Sequence, residues 1–246
     1  MTLEQNLRRT GRWLFRWRSY LPLLLLAITL PALSGFHYPL GSHYLDHAWD
    51  LFCLFISFIG LGILAYAVGH VPKGTSGRNT RGQVADVLNV SGLYSVCRNP
   101  LYLGNFFMGL GPMLFVRQYW LLLVYASLFW LYYERIIFAE EEFLRRKFGK
   151  VYEEYCRRTP VFVPRISLWR PPALPFSFRT VLKREYSGLF GLLSTFMLLE
   201  TIGEYVVNQR LVVDKLWAVI FIVGAVIYIV LRTLKKHTTL LDVPGR

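Results

Sequence analysis

Leu88-Asn-Val-Ser-Gly-Leu-Tyr-Ser-Val-Cys-Arg-Asn-Pro-Leu-Tyr-Leu-Gly104 is polar and turn-rich as far as Asn99 and then enters an apolar run. Pro100 suits the first position of a helix, where its missing amide donor is not needed. A span from Pro100 through Phe115 is therefore predicted, with Arg117 and Gln118 making a short turn and Trp120 to Phe138 returning as the next span. So short a turn makes the two helices antiparallel neighbours. It brings Arg98 to Gly104 close to Arg135 to Glu141 at one membrane face. Together the two polar ends read as a reactive site at a membrane surface.

The rest of the chain agrees with a membrane setting. Of 246 residues, 54% are hydrophobic and 16% aromatic, and the mean hydropathy is +0.37. These values lie outside the usual range of soluble domains and predict an all-α, polytopic membrane protein with about six transmembrane helices. The other four spans are read at about Tyr20–Pro39, Ala48–Val71, Ser187–Val207 and Leu216–Leu231. The organisation that follows is a basic interfacial segment (1–19), two spans (20–73) and a core with a helical hairpin and an amphipathic cap (74–164). A connector (165–186) and two last spans with a basic tail (187–246) complete it.

Arg8, Arg9, Arg12, Arg16 and Arg18 interleave with Trp13, Phe15 and Trp17, a pattern suited to a helix lying on anionic headgroups. The apolar run after them lacks a small-residue cleavage site, so it reads as a first span rather than a signal peptide. The net charge of +13 is carried between the apolar runs, which fits a membrane surface and argues against nucleic acid. Under the six-span reading, 25 of the 28 lysines and arginines fall on one side. The positive-inside rule places both termini and both polar segments in the cytoplasm, with a bacterial inner membrane preferred over the endoplasmic reticulum. Cys53, Cys97 and Cys156 make neither a disulfide framework nor a metal motif. His37, His43 and His47 with Asp46 and Asp50 match no compact metal spacing and read as a solvated loop, so no metal is expected.

From Glu140 the chain becomes charged, and Leu144, Phe148, Val151 and Tyr155 share one helical face. Gly149 is expected to break this stretch into two short amphipathic helices covering the hairpin mouth. Lys73 to Gly82 is glycine-rich and basic, either a loop whose amides line a ligand or a flexible connector. Glu200 and Glu204, four apart in the fifth span, mark either a structural polar contact or a substrate path.

Ser91 to Gly104, followed by Glu140-Glu-Glu-Phe-Leu144, Phe148-Gly149, Tyr152, Tyr155, Pro160 and Pro164, resembles the isoprenylcysteine carboxyl methyltransferase and phospholipid methyltransferase superfamily. The resemblance covers roughly 74–164. It implies an integral membrane methyltransferase that uses S-adenosylmethionine without a Rossmann domain. Carried over by motif, it implies that Tyr94, Arg98, Asn99, Tyr102, Gly104, Glu140 and Glu141 hold the cofactor. Leu144 fixes the Glu-Glu-x-x-Leu register and leaves Glu142 out. Arg135, close to where the family keeps a substrate-linked arginine, is the catalytic candidate, with snorkelling or pairing with Glu134 as the alternative. Where the family carries Arg-His-Pro, this chain has Arg98-Asn99-Pro100. Asparagine donates and accepts hydrogen bonds but does not titrate near neutrality, so a positioning role survives and proton transfer does not.

The residue chemistry suits that reading. A sulfonium with an amino-acid head and a ribose calls for aromatic faces, a cation for the carboxylate and carboxylates for the amine or ribose. Other readings stay open: Glu140 and Glu141 as a solvated helix start, Arg98 as a headgroup anchor, and Gly109-Leu-Gly111 as close helix packing. Abundant arginine and no obvious base favour a membrane-embedded lipidic acceptor bearing a carboxylate or phosphate. A phospholipid amine acceptor is the alternative. A sterol-reductase-like, NADPH-dependent oxidoreductase is a further one, since those proteins share an arginine followed by Tyr-Leu-Gly. A scaffold that has lost activity is the third class, motivated by Asn99.

Overall fold

A computed structural model describes residues 2–75 and 83–246 of the chain, so most of the glycine-rich loop read at Lys73 to Gly82 lies outside the described residues. Within those residues there are helices and irregular segments and no strand. The helices are α1 (Leu3–Trp17), α2 (Leu21–Ala32), α3 (His43–Gly69), α4 (Leu93–Val96), α5 (Pro100–Phe115), α6 (Tyr119–Phe148), α7 (Lys150–Arg158), α8 (Phe178–Asn208) and α9 (Lys215–His237).

Thr2 and Gln5 form a reciprocal capping box that starts α1. The helix lies antiparallel along the last turns of α6. The Tyr132 hydroxyl donates to the Leu14 carbonyl at 2.9 Å, and Arg8 pairs with Glu142 at 2.7 Å. Gly11 and Phe15 are buried in this contact, while Trp13 and Trp17 stay exposed with Arg9, Arg12 and Arg16. Only one face of the basic segment is thus available to headgroups.

Helix α2 has 12 residues, with Pro31 inside it and a 3-10 turn at Leu33–Gly35 after it. It stops short of the expected Tyr20–Pro39 because proline removes a backbone donor near its end. Helix α3 begins earlier than the expected Ala48, at His43, where the Ser42 hydroxyl caps the Leu45 amide at 3.4 Å. The loop reading of this stretch is therefore corrected. His43, Asp46, His47 and Asp50 lie in the first turns of α3, and both aspartates are fully buried. Burial is possible because Arg117, in the turn between α5 and α6, reaches Asp46 at 2.5 Å and Asp50 at 3.2 Å.

Helices α3 and α5 make the most extensive helix contact of the bundle. They run antiparallel with Cys53, Ser57 and Gly60 facing Gly111, Met108 and Gly104, and the Ser57 hydroxyl donates to the Met108 carbonyl at 3.0 Å. A methyl group at Gly60 would overlap the Met108 amide and the Gly104 carbonyl. Gly111 faces α3 and Gly109 faces Tyr125 of α6, so both glycines serve close packing.

Helix α6 runs unbroken for 30 residues. The charged stretch from Glu140 to Phe148 is therefore its last turns rather than a separate amphipathic helix, since nothing before Gly149 breaks it. Gly149, with φ of 54°, ends α6 and starts α7. The break resets the helical phase: Tyr152 is buried at 1% exposure and Val151 is 66% exposed, the reverse of an uninterrupted face.

Among the described residues, four helices, α3, α6, α8 and α9, are long and apolar enough to cross a membrane. Helices α2, with 12 residues, and α5, with 16, are shorter than the roughly 20 needed for a full crossing. One end of the bundle gathers α1, the starts of α5 and α8 and the ends of α3, α6 and α9. The C-terminal Arg246 ties to this end through the Gly69 and Pro175 carbonyls at 2.6 Å. The α2–α3 link and the α5–α6 and α8–α9 turns form the opposite end.

Candidate active site

The segment before α5 is fixed by a second stretch of chain. The Arg98 amide donates to the Pro160 carbonyl and the Arg165 amide to the Val96 carbonyl, both at 2.9 Å. The Asn99 side-chain amide donates to the Val161 carbonyl at 3.0 Å. Asn99 is the residue before the helix, yet it clamps this neighbouring segment instead of capping α5. Pro160 and Pro164 suit an extended partner strand of this kind. The Tyr155 hydroxyl adds a further tie from α7 to the Tyr94 carbonyl at 2.7 Å.

Arg98 then turns to α6. Its guanidinium pairs with Glu141 at 2.9 Å and also donates to the Cys156 carbonyl at 2.9 Å. One residue earlier on α6, Glu140 accepts from the Tyr102 hydroxyl at 2.8 Å and lies 3.8 Å from Arg18 of the segment after α1. Successive residues on a helix point about 100° apart, so the two glutamates meet different partners. Glu142 points away to Arg8. Tyr102 is backed by Tyr133, ring centroids 4.5 Å apart, and the Tyr133 hydroxyl accepts from Asn105 at 3.4 Å.

Arg98, Tyr102, Glu140, Glu141 and Arg18 line one cavity of about 630 Å³ at the end of the bundle that carries both chain termini. That volume is in the range of small-molecule sites. Its wall includes Tyr94, Arg98, Asn99, Tyr102, Glu140 and Glu141, together with the aromatic Tyr152 and Tyr155. Burial, reinforced by the Glu140 charge, pushes the Tyr94 hydroxyl well above the usual phenol range, and burial does the same for Tyr155. Both stay neutral and offer ring faces rather than phenolates.

Six of the eight singled-out residues are thus brought together. Gly104 is elsewhere, packed on Gly60 and Leu64 at the α3–α5 crossing. Arg135 is also elsewhere: its backbone lies against Gly11 of α1 and its guanidinium bonds the Leu131 carbonyl at 3.3 Å. Arg18, Arg184 and Lys235 line the cavity from the segment after α1 and from the last two helices, and the sequence reading named none of them as a site residue. Arg18 carried a signal in its place at the end of a basic amphipathic run, and Arg184 in a basic cluster just before an apolar one.

The family model described as phospholipid methyltransferase matches residues 53–151, the stretch that holds most of α3, all of α5 and α6 and most of the cavity. Over residues 53–151 the chain is similar to the isoprenylcysteine carboxyl methyltransferase and phospholipid methyltransferase superfamily.

Among curated relatives, the protein-S-isoprenylcysteine O-methyltransferase of Schizosaccharomyces pombe is 30% identical over 80 residues, covering 32% of this chain and 34% of that protein. The nickel-cobalt-cadmium resistance protein of Alcaligenes xylosoxydans is 34% identical over 124 residues, or 50% of this chain and 57% of that one. The cobalt-zinc-cadmium resistance protein of Cupriavidus metallidurans is 35% identical over 134 residues, or 53% and 61%. The chain therefore spans less than two thirds of the length of these relatives. No solved structure matches it.

Proposed function

We propose that this chain is an integral membrane methyltransferase that takes S-adenosylmethionine into the cavity between Arg98 and the Glu140–Glu141 pair. It passes the methyl group to a lipidic acceptor bearing a carboxylate or phosphate. The observation that carries the reading is the joining of two distant motifs, Arg98 to Glu141 and Tyr102 to Glu140, across one cavity. The donor set fits the cofactor: Arg98 suits its carboxylate, Glu140 and Glu141 its amine or ribose hydroxyls, and Tyr94 and Tyr155 its sulfonium. When bound, S-adenosylmethionine supplies a methyl group on sulfur, whose S–C bond breaks onto sulfur as the acceptor oxygen forms the new O–C bond, with no proton to move.

The residues therefore bind, orient and neutralise. Arg98 and Glu141, already paired, present opposite charges side by side to a zwitterionic head. Arg184 and Lys235, against Glu185, bring a net positive charge to the same cavity from helices outside the matched segment, which supports an anionic acceptor over an amine. Both termini and the cavity are assigned to the cytoplasm, where the excess of basic residues belongs. The relatives named for metal resistance suggest that this chemistry serves resistance to divalent metals, a setting favoured by the histidine and carboxylate cluster at the far end of the bundle.

The test is transfer of a labelled methyl group from S-adenosylmethionine to membrane lipid extract by the purified, reconstituted chain. Base-labile label in the lipid fraction is expected, as for an ester of a carboxylate. Base-stable label would come from a phosphate ester or an amine, told apart by whether mass-spectrometric fragments carry the label with phosphorus or with nitrogen, and label on nitrogen would identify an amine acceptor. No transfer, with thermal stabilisation by NADPH and not by S-adenosylmethionine, would replace the reading with the oxidoreductase one.

A further inference from the structure

At the end of the bundle away from the cavity, three helices bring together a group of side chains that methyl transfer does not use. His43, Asp46, His47 and Asp50 come from the start of α3, Glu200 and Glu204 from the end of α8, and Asp214 from the cap of α9. Among the described residues, donor atoms of His47, Asp50 and Glu200 lie within 4.8 Å of one another, as do those of His43, His47 and Asp214. Ligands bound at about 2.1 Å to one cation lie at most about 4.2 Å apart, so small side-chain movements bring either set to a shared ion.

Most members of the group have assigned partners. Arg117 holds Asp46 and Asp50. Glu204 accepts from the Tyr38 hydroxyl at 2.6 Å and from the Asn208 amide at 2.8 Å. Burial and the Glu204 carboxylate push the Tyr38 hydroxyl up to about 12, so it remains a donor.

Glu200 differs. It is 1% exposed, and neither of its carboxylate oxygens has a hydrogen-bond partner among the described residues. A buried carboxylate without a donor is costly, and among the described residues Arg117 is the single arginine paired within a group of five acidic side chains. A divalent cation offsets that excess directly.

We propose that His47, Asp50 and Glu200 form a binding site for a divalent transition-metal cation, with His43 and Asp214 at its mouth. One imidazole and two carboxylates suit zinc, cobalt or nickel, whereas calcium and magnesium prefer oxygen ligands alone. Asp50 is oriented by Arg117, as carboxylate ligands commonly are by a neighbour outside the metal's own ligand set. The path to solvent runs past His47 and His43, whose side chains are 26% and 48% exposed.

The full chain, purified in detergent, stripped with chelator and dialysed, is titrated with Zn²⁺ or Co²⁺ in the absence of any methyl donor. About one equivalent per chain is expected, with Co²⁺ giving the visible absorption of nitrogen and oxygen ligation. Glu200→Gln and His47→Gln each weaken binding at least tenfold, and His37→Gln, on an exposed side chain outside the group, leaves it unchanged. Absence of stoichiometric binding would overturn the site in favour of a protonated Glu200. So would binding in both cluster variants equal to that of the parent chain. Metal-free melting of the variants reports their folding, and His47→Gln, at a partly exposed position, keeps the test open if Glu200→Gln does not fold. Because the assay needs no methyl donor, its failure is distinct from failure of the methyltransferase reading.

Discussion

Asn99 stands where the superfamily usually has histidine, and in this structure it acts as a clamp, its side-chain amide holding the Val161 carbonyl at 3.0 Å. Only a donor is needed there, and imidazole can supply one. Asn99→His is therefore expected to keep S-adenosylmethionine affinity within about twofold, while Asn99→Ala loses a bond worth about 1 kcal/mol, or roughly fivefold in Kd. A tenfold gain in turnover for Asn99→His would instead reveal a missing proton-transfer group. Two residues earlier, Cys97 is 1% exposed, and burial pushes its thiol up to about 11 despite the nearby Asn99 amide and Arg98 charge. The thiolate is the reactive form, so it is scarce below that value. Iodoacetamide at pH 8 should label the partly exposed Cys156 before Cys97, and the slow Cys97 rate should rise about tenfold per pH unit up to about pH 10. Fast labelling of Cys97 at pH 8 would mean that the segment beside Pro160 opens freely. At this scale the nearness of Arg98 to Glu140 and Glu141 was legible because they end the two arms of a tight hairpin. Arg184 was not, because the fold, not the spacing, returns α8 to the cavity.

Among the elements, the bounds of α5 were legible to the residue, since Pro100 starts it and Arg117 follows it closely. The start of α3 was not, because histidine and aspartate before an apolar run have the composition of a loop. The missing fact was the partner: Arg117 makes buried aspartates acceptable inside a helix. Gly104, which the resemblance implies to be a cofactor residue, is put by the fold against Gly60 and Leu64. A methyl group there would lie 2.8 Å from Leu64 and 2.9 Å from the Gly60 carbonyl, whereas one at Gly62 meets nothing within 4 Å. Gly104→Ala is expected to cost about 1–3 kcal/mol by overpacking, seen as lower thermal stability in detergent. Gly62→Ala should be near neutral. Equal melting of the two variants would contradict the close α3–α5 crossing.

Across the molecule, the bundle keeps two polar clusters at opposite ends, and each is assembled from segments far apart in sequence. At one end the matched segment supplies Arg98, Tyr102, Glu140 and Glu141, and segments outside it add Arg18, Arg184 and Lys235. Under the proposed function, that division gives cofactor binding to the matched segment and acceptor choice to what surrounds it. Hydropathy made the helical membrane class legible, while the shortness of α2 depended on Pro31. The most direct measurement of the whole proposal is calorimetric binding of S-adenosylmethionine to the purified chain and to Arg98→Ala, Glu141→Gln and Gly62→Ala. One equivalent should bind to the parent chain and to Gly62→Ala, with affinity at least tenfold weaker in the Arg98 and Glu141 variants. Unchanged affinity in both of those variants would contradict the assignment of the cofactor to this cavity.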